Sequence, residues 1–232
     1  MNHSSLAHSF TPSNSTTTTG DNLDDLMINF PLKTFKKGSY IVKEGQTPKH
    51  IYYIQSGKAL ALTNYPESEK LLANGFFVKG DFVNFQALTN SHPDNHSIKS
   101  LSKVEVRQIP TIAFLSLMRQ HQFLNQMVLQ SVVCRLEQKT NHCHQTVLFN
   151  SNQRIVQFLL DYISKAGERV GYEWVVRDFL TQAQIALLSN TGRQTVSTLL
   201  NDLRREKIIH FTRKYMVVRD LDLLKAYLLK AK

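Results

Sequence analysis

Neither glycine nor proline occurs between Pro110 and Gly167, whereas both punctuate the chain before Pro110. A polypeptide with that break in texture must join short, turn-bounded segments to long helical ones. From about residue 33 to 110 the apolar runs SYIV, HIYYIQ, ALALT, GFFVKGDFV and KVEVRQI are broken up by glycines at 38, 45, 57 and 80. These are strand lengths, rich in β-branched and aromatic residues, and a compact antiparallel β-domain is their natural assembly.

In the glycine-free stretch, Leu129, Val133, Leu136, Thr140, Cys143 and Val147 recur at alternating spacings of four and three. That is the period of a helix seam. Arg135, Glu137, Lys139, Asn141 and Gln145 make the other faces polar, which points to a parallel dimer helix; a helix packed on its own core is the alternative. Residues 151 to 163 read as a further helix with Ile155, Phe158, Leu159 and Tyr162 on one side. The segment 167 to 179 reads as a turn-rich connector whose Trp174 is a core residue.

The pattern that carries chemistry follows. Thr181 and Gln184 form a capping box, in which the Thr hydroxyl accepts from the amide three residues on and the Gln side chain reaches back. A two-turn helix starting at residue 182 then ends in the turn formers Ser189, Asn190, Thr191 and Gly192. In the next helix Val196, Leu199, Leu200 and Leu203 make one buried stripe, and Arg193, Gln194, Ser197, Asn201, Arg204 and Arg205 lie opposite. Two short helices joined by a tight turn, the second exposing amide, hydroxyl and guanidinium groups, suit a helix-turn-helix that enters the major groove. Two strand-like runs around Thr212, Arg213 and Lys214 then give a hairpin with a basic tip, suited to phosphate.

Composition supports this reading. The 232 residues carry a formal charge of +10, and the segment 151 to 232 holds +6 of it, so duplex DNA is the expected partner. At 42% hydrophobic and 20% charged residues the chain can bury a core. No apolar window is long enough for a membrane span, no basic-then-apolar leader opens the chain, and Cys134 and Cys143 are too few for a disulfide scaffold. A cytoplasmic protein is therefore expected, with no membrane partner. Residues 1 to 22, rich in Ser, Thr and Asn, are expected to form a disordered tail. No nucleophile-and-base motif, phosphate-cradling glycine loop or metal-ligand spacing suggests an enzyme.

The segment LTQAQIALLSNTGRQTVSTLLNDLRREKII, residues 180 to 209, resembles the helix-turn-helix signature of the Crp/Fnr superfamily of bacterial transcription regulators. GxxxxxEG at 38 to 45, HIYYIQSGKALAL at 50 to 62 and KGDFV at 79 to 83 are similar to that family's cyclic-nucleotide-type β-roll. The resemblance implies an α+β chain with an antiparallel, jelly-roll-like sensor domain over 23–112, a dimerisation helix region over 113–150 and a winged helix-turn-helix over 151–232. It also implies a homodimer on a near-palindromic operator, its recognition helices about 34 Å apart, acting with RNA polymerase. The DNA-contacting set is then Thr181, Gln182, Arg193, Gln194, Thr195, Ser197, Thr198 and Asn201, with Arg213 and Lys214 at the wing tip. An Arg at the start of a recognition helix can bond guanine O6 and N7 in bidentate fashion. Asn190 and Gly192 depart from the family, standing where Gly and Ser are usual.

The implied effector pocket departs further. Members that bind cyclic AMP carry a Gly-Glu pair for the ribose and an Arg for the phosphate; here Asn84 and Phe85 replace the pair, and the Arg position falls on Asp94 or Asn95. Phenylalanine accepts no hydroxyl, and Lys99 is poorly placed to replace the lost guanidinium contact. Thr140, near a purine-contacting position, is the partial match that remains. Tight binding of cyclic AMP is not expected, and the pocket offers no evident positive anchor; the effector is an unknown small molecule or none. Two cysteines do not supply an iron-sulfur cluster, and His142, Cys143 and His144 point in three directions on a helix, so neither a metal nor another cofactor is expected. Cys143 on the seam leaves thiol oxidation as a conceivable switch. The competing class is a β-roll ligand-binding module whose DNA binding is secondary.

Overall fold

A computed structural model of the chain describes residues 23–65, 70–89 and 96–230. The expected tail, Asp94 and Asn95 lie outside them.

Helix α1 (Leu23–Ile28) leads into the roll, built from β1 (Leu32–Phe35), β2 (Tyr40–Val42), β3 (His50–Ser56), β4 (Ala59–Tyr65), β5 (Lys70–Phe77), β6 (Phe82–Val83), β7 (Ser97–Ser100) and β8 (Val104–Pro110). Two antiparallel four-stranded sheets result, with orders β1-β8-β3-β6 and β2-β7-β4-β5. Ile41, Ile54, Ala61, Ile98, Val104 and Val106 share one apolar cluster of the roll. The alternation of the strands decides what goes there: on β3, Ile54 joins that cluster while Ile51 and Tyr53 join a second one. Gly57 turns β3 into β4 at φ 90°, and a side chain there would collide with the Lys103 carbonyl 2.2 Å away.

The helical stretch after Pro110 is divided. Helix α2 (Thr111–Gln120) ends at His121, whose backbone is extended, and α3 (Gln122–Leu148) begins directly after it. The His121 amide donates to the Leu117 carbonyl at 2.8 Å and its carbonyl accepts from the Leu124 amide at 3.0 Å, closing one helix and opening the next. The break lets Phe114 of α2 and Leu124 and Val128 of α3 pack into one cluster with Met27, Ile51 and Phe82. A straight helix could not bury both sets.

The C-terminal third comprises α4 (Ser151–Ala166), β9 (Glu168–Val170), β10 (Glu173–Arg177), α5 (Gln182–Leu188), α6 (Arg193–Arg205), β11 (Ile209–Phe211), β12 (Tyr215–Val218) and α7 (Leu221–Lys230). The connector expected over 167 to 179 is in fact a β-hairpin that completes a sheet of order β11-β12-β10-β9. Gly171, at φ 61°, supplies its turn, and Trp174 pairs with Val218 of the wing. Ile155, Leu159 and Ile163 of α4, Ile185 of α5, the α6 stripe and Met216 and Val218 of β12 form one core.

Two lysines join the halves reciprocally. From the β3–β4 turn, Lys58 Nζ donates to Tyr162 Oη at 2.9 Å, to the Asp178 carbonyl at 2.9 Å and to the Arg177 carbonyl. From α4, Lys165 Nζ donates to the Phe76 carbonyl at 2.6 Å and pairs with Asp81 at 3.1 Å. Phe76 meets Tyr162 edge to face, ring centres 5.3 Å apart. Burial pushes the Lys58 ammonium below its ordinary range and Asp178 partly restores it.

Candidate nucleic-acid interface

The capping box is made as the residue types require: Thr181 Oγ1 accepts from the Gln184 amide at 3.3 Å, and Gln184 Oε1 accepts from the Thr181 amide at 2.9 Å. This fixes the start of α5 and leaves Thr181 exposed and Gln182 half-buried beside it. The family-atypical turn closes by its own means. Asn190 takes the left-handed conformation at φ 51°, which Asn tolerates better than most residues. Beside it the Thr191 amide donates to the Ala186 carbonyl at 2.9 Å, and the Ser189 and Thr191 hydroxyls meet at 2.8 Å. Gly192 is the N-cap of α6, without a side chain to cap it.

On α6, Val196, Leu199, Leu200 and Leu203 are buried, which seats the helix; each Leu contributes roughly 1.5–3 kcal/mol by burial. The other side presents Arg193, Gln194, Thr198 and Asn201 to solvent, with Ser197 half-buried on the flank. Thr195 is half-buried and, with Gln194, Thr198, Asp202 and Asn152 of α4, borders a shallow depression. Arg193 makes no side-chain hydrogen bond or ion pair among the described residues, and neither do Arg213 and Lys214 at the wing tip. That tip is ordered by Thr212, whose hydroxyl accepts from the Lys214 and Tyr215 amides at 3.1 and 3.2 Å. The remaining guanidiniums of α6 are engaged: Arg204 stacks 5.3 Å from the Phe211 ring centre and donates to Asn201 Oδ1 at 3.0 Å, while Arg205 pairs with Asp202. Three free cations thus flank a polar helix face, complementary to a phosphate-lined groove.

The residues expected to line an effector pocket are placed as follows. Asn84, left-handed at φ 71°, is buried and donates to the His50 carbonyl at 3.0 Å. Phe85 starts a short 3-10 turn. Between Phe85 and Phe77 lies the guanidinium of Arg135, 4.7 and 4.9 Å from the two ring centres, donating to the Phe82 carbonyl. A positive group from α3 therefore packs onto the roll beside Phe85, although the seam pattern places Arg135 on an outer polar face. Burial lowers its proton affinity and the nearby Asp81 carboxylate opposes that. Lys99, by contrast, lies over the Tyr40 ring. Thr140 is exposed and its hydroxyl donates to the Leu136 carbonyl at 3.0 Å.

The face of α3 away from the roll is bare. Leu129, Leu136 and Val147 are 64%, 67% and 83% exposed, and Val133, Thr140, Cys134 and Cys143 are exposed with them. No group of three or more His, Cys, Asp or Glu side chains among the described residues could hold a metal. No helix among them is long and apolar enough to cross a membrane.

Residues 32–121 match the cyclic nucleotide-binding domain and residues 153–227 the Crp-like helix-turn-helix domain. The chain is 23% identical over 205 residues to the fumarate and nitrate reduction regulatory protein of Yersinia pestis, covering 88% of this chain and 80% of that one. To the CRP-like cAMP-activated global transcriptional regulator of Mycobacterium tuberculosis it is 22% identical over 190 residues, covering 82% and 84%. Its fold matches that of a CooA mutant from Carboxydothermus hydrogenoformans at a TM-score of 0.73, with 17% identity over 90% of this chain and 92% of that one. FixK2 from Bradyrhizobium japonicum gives the same TM-score at 15% identity over 85% and 96%. With a nucleotide-binding-type roll, a long helix and a Crp-like winged helix-turn-helix in one chain, this protein belongs to the Crp/Fnr superfamily of transcription regulators.

Proposed function

We propose that the chain acts as a homodimer, pairs through α3, reads a near-palindromic operator with α6 and regulates transcription by RNA polymerase without taking cyclic AMP. The observation that carries the DNA reading is the set of exposed cations without internal partners, Arg193 opening α6 and Arg213 and Lys214 on the wing. Arg193 is the base reader, with Gln194, Thr198 and Asn201 along the same face, Ser197 and Thr195 on its flanks and Thr181 and Gln182 toward the backbone. Pairing is supported by the apolar face of α3, since a row of bare Leu and Val on a surface helix calls for a partner. An enzymatic step is not part of the reading.

Exclusion of cyclic AMP is supported by what fills the roll. Phe85 offers no acceptor for a ribose hydroxyl, and Arg135 is already sandwiched and hydrogen-bonded to Phe82, so a nucleotide would have to displace both. Selection of sites from random duplex DNA tests the first half. The expected product is an inverted repeat with half-sites about one helical turn apart. Arg193→Ala should weaken binding to it more than to random DNA, and equal losses would refute base reading. Calorimetry with cyclic AMP should give no micromolar binding. The rival ligand-module reading would be favoured by nucleotide binding together with absent sequence selection.

A further inference from the structure

Helix α3 ends at Leu148, Phe149 is extended, and Asn150 caps α4, so the chain bends between the pairing helix and the DNA-reading domain. One side chain on the first turns of α4 spans from that bend to the helix-turn-helix. Arg154 Nη1 donates to the Phe149 carbonyl at 2.8 Å and Nη2 lies 3.4 Å from Ser151 Oγ, both at the bend. Its Nε donates to the Ser189 carbonyl at 3.2 Å and Nη2 to the Asn190 carbonyl at 3.0 Å, both in the turn before α6. Those carbonyls follow the last turn of α5, where backbone acceptors need partners from elsewhere. The shared core seats α5 and α6 on α4, and since Gly192 contributes no capping side chain, Arg154 is what holds the carbonyls of the turn itself to α4.

We infer that Arg154 is a positioning residue for DNA reading, tying the turn that precedes the recognition helix to the bend below the pairing helix so that the two move as one body. Arginine suits the task because its planar fork spreads donors over three nitrogens, Nε and Nη2 reaching the turn and Nη1 the Phe149 carbonyl at the bend, whereas the donors of lysine all radiate from one nitrogen. If α3 of one protomer shifts against its mate, the Phe149 carbonyl shifts, and Arg154 carries that shift to Ser189 and Asn190, next to Arg193. The consequence falls on spacing rather than on base chemistry: the half-site separation a dimer accepts is only as narrow as this link is stiff.

The inference rests on the proposed dimeric DNA reader, and its test separates the two. The full chain and its Arg154→Gln and Arg154→Lys variants are titrated with the selected operator, with operators lengthened or shortened by one base pair at the centre, and with random DNA. The expected result is about tenfold weaker operator binding by both variants, the loss of roughly one charge-assisted hydrogen bond. Discrimination between the correct and altered spacers should collapse, and affinity for random DNA should stay within about twofold of the parent, since phosphate contacts are retained. Parental spacer discrimination in Arg154→Gln, full rescue by Lys, or equal losses on all three DNAs would overturn it. Hydrogen exchange on the DNA-free proteins supplies a readout that needs no operator. Amides of residues 149–151 and 189–193 should exchange faster together in Arg154→Gln while those of α6 from Val196 to Leu203 do not, and parental exchange at the turn would overturn the link. A parent chain that selects no sequence at all would instead overturn the regulator reading, with exchange still deciding whether Arg154 couples bend and turn.

Discussion

Removing the guanidinium from the roll should reveal how much of the roll's stability it supplies. Arg135 lies 4.9 Å from the Phe77 ring centre and 4.7 Å from that of Phe85, and donates to the Phe82 carbonyl. A cation over an aromatic face contributes about 0.5–2 kcal/mol, toward the upper end when water is excluded. A hydrogen bond from a charged donor contributes about 1.5–3 kcal/mol, and the cost of burying the cation offsets part of both. Arg135→Leu is therefore expected to lose about 1–3 kcal/mol in all. The decisive quantity is the coupling. In a cycle of Arg135→Leu, Phe85→Leu and the double variant, the pair should show about 1 kcal/mol of interaction energy, the double variant losing less than the sum of the singles. Urea denaturation followed by circular dichroism measures it, with all variants at one protein concentration. Single-variant losses that add to within about 0.3 kcal/mol would mean the stacked geometry contributes nothing specific.

Three further outcomes are expected. Gly192→Ser should raise stability by a few tenths of a kcal/mol, read as a small upward shift in Tm, because a side chain there meets only Thr195 Oγ1 at 3.5 Å and a Ser hydroxyl would cap α6. Lys58→Met should loosen the contact between roll and DNA-binding domain, splitting one calorimetric transition into two. Acid should destabilise the fold. His96 and His142 are held below the ordinary histidine value of 6.5, first by burial and then by the cations Lys139 and Arg135 at the one and Lys139 and Arg154 at the other, with Glu44 opposing at His96; His50 is likewise lowered, by burial and then Lys33 and Lys49. The unfolded chain then binds protons that the folded chain refuses, so stability present above pH 6.5 falls as pH drops below it. The urea midpoint should decline from pH 7.5 to 5.5, and less so in the His96→Gln variant.

The helix-turn-helix was legible because its signals are local. The Thr181 and Gln184 side chains need only each other's amides, and the Val196 to Leu203 stripe announces its buried face through spacing alone. The β-roll could be read as strands but not as sheets, since the pairing of β2 with β7 depends on contacts distant in sequence. What escaped was set by tertiary packing. The hairpin of β9 and β10 is short, and its strand character comes from adding to the wing, where Trp174 finds Val218. The division at His121 carries neither Gly nor Pro and follows from the need to bury Phe114 and Leu124 in one cluster. Arg135 looked like a solvated charge next to Leu136. Its inward direction exists because Phe77 and Phe85 wait on the roll.

The strand order of the roll also has a consequence for the time course of folding. Strand β1 lies at a sheet edge and its ladder is with β8, Leu32 opposite Arg107 and Phe35 opposite Val104. During synthesis the first strand therefore emerges about seventy residues before its mate, and closing so long a loop is slow. In the winged domain, α5 with α6 and β11 with β12 join near neighbours in sequence and should form quickly by the same rule, while α4 must wait for α7. The nascent chain thus presents an unpaired edge for longest at its beginning, and the exposed lysines at 33, 36 and 37 sit on and beside that edge, where like charge discourages a second chain from adding to it.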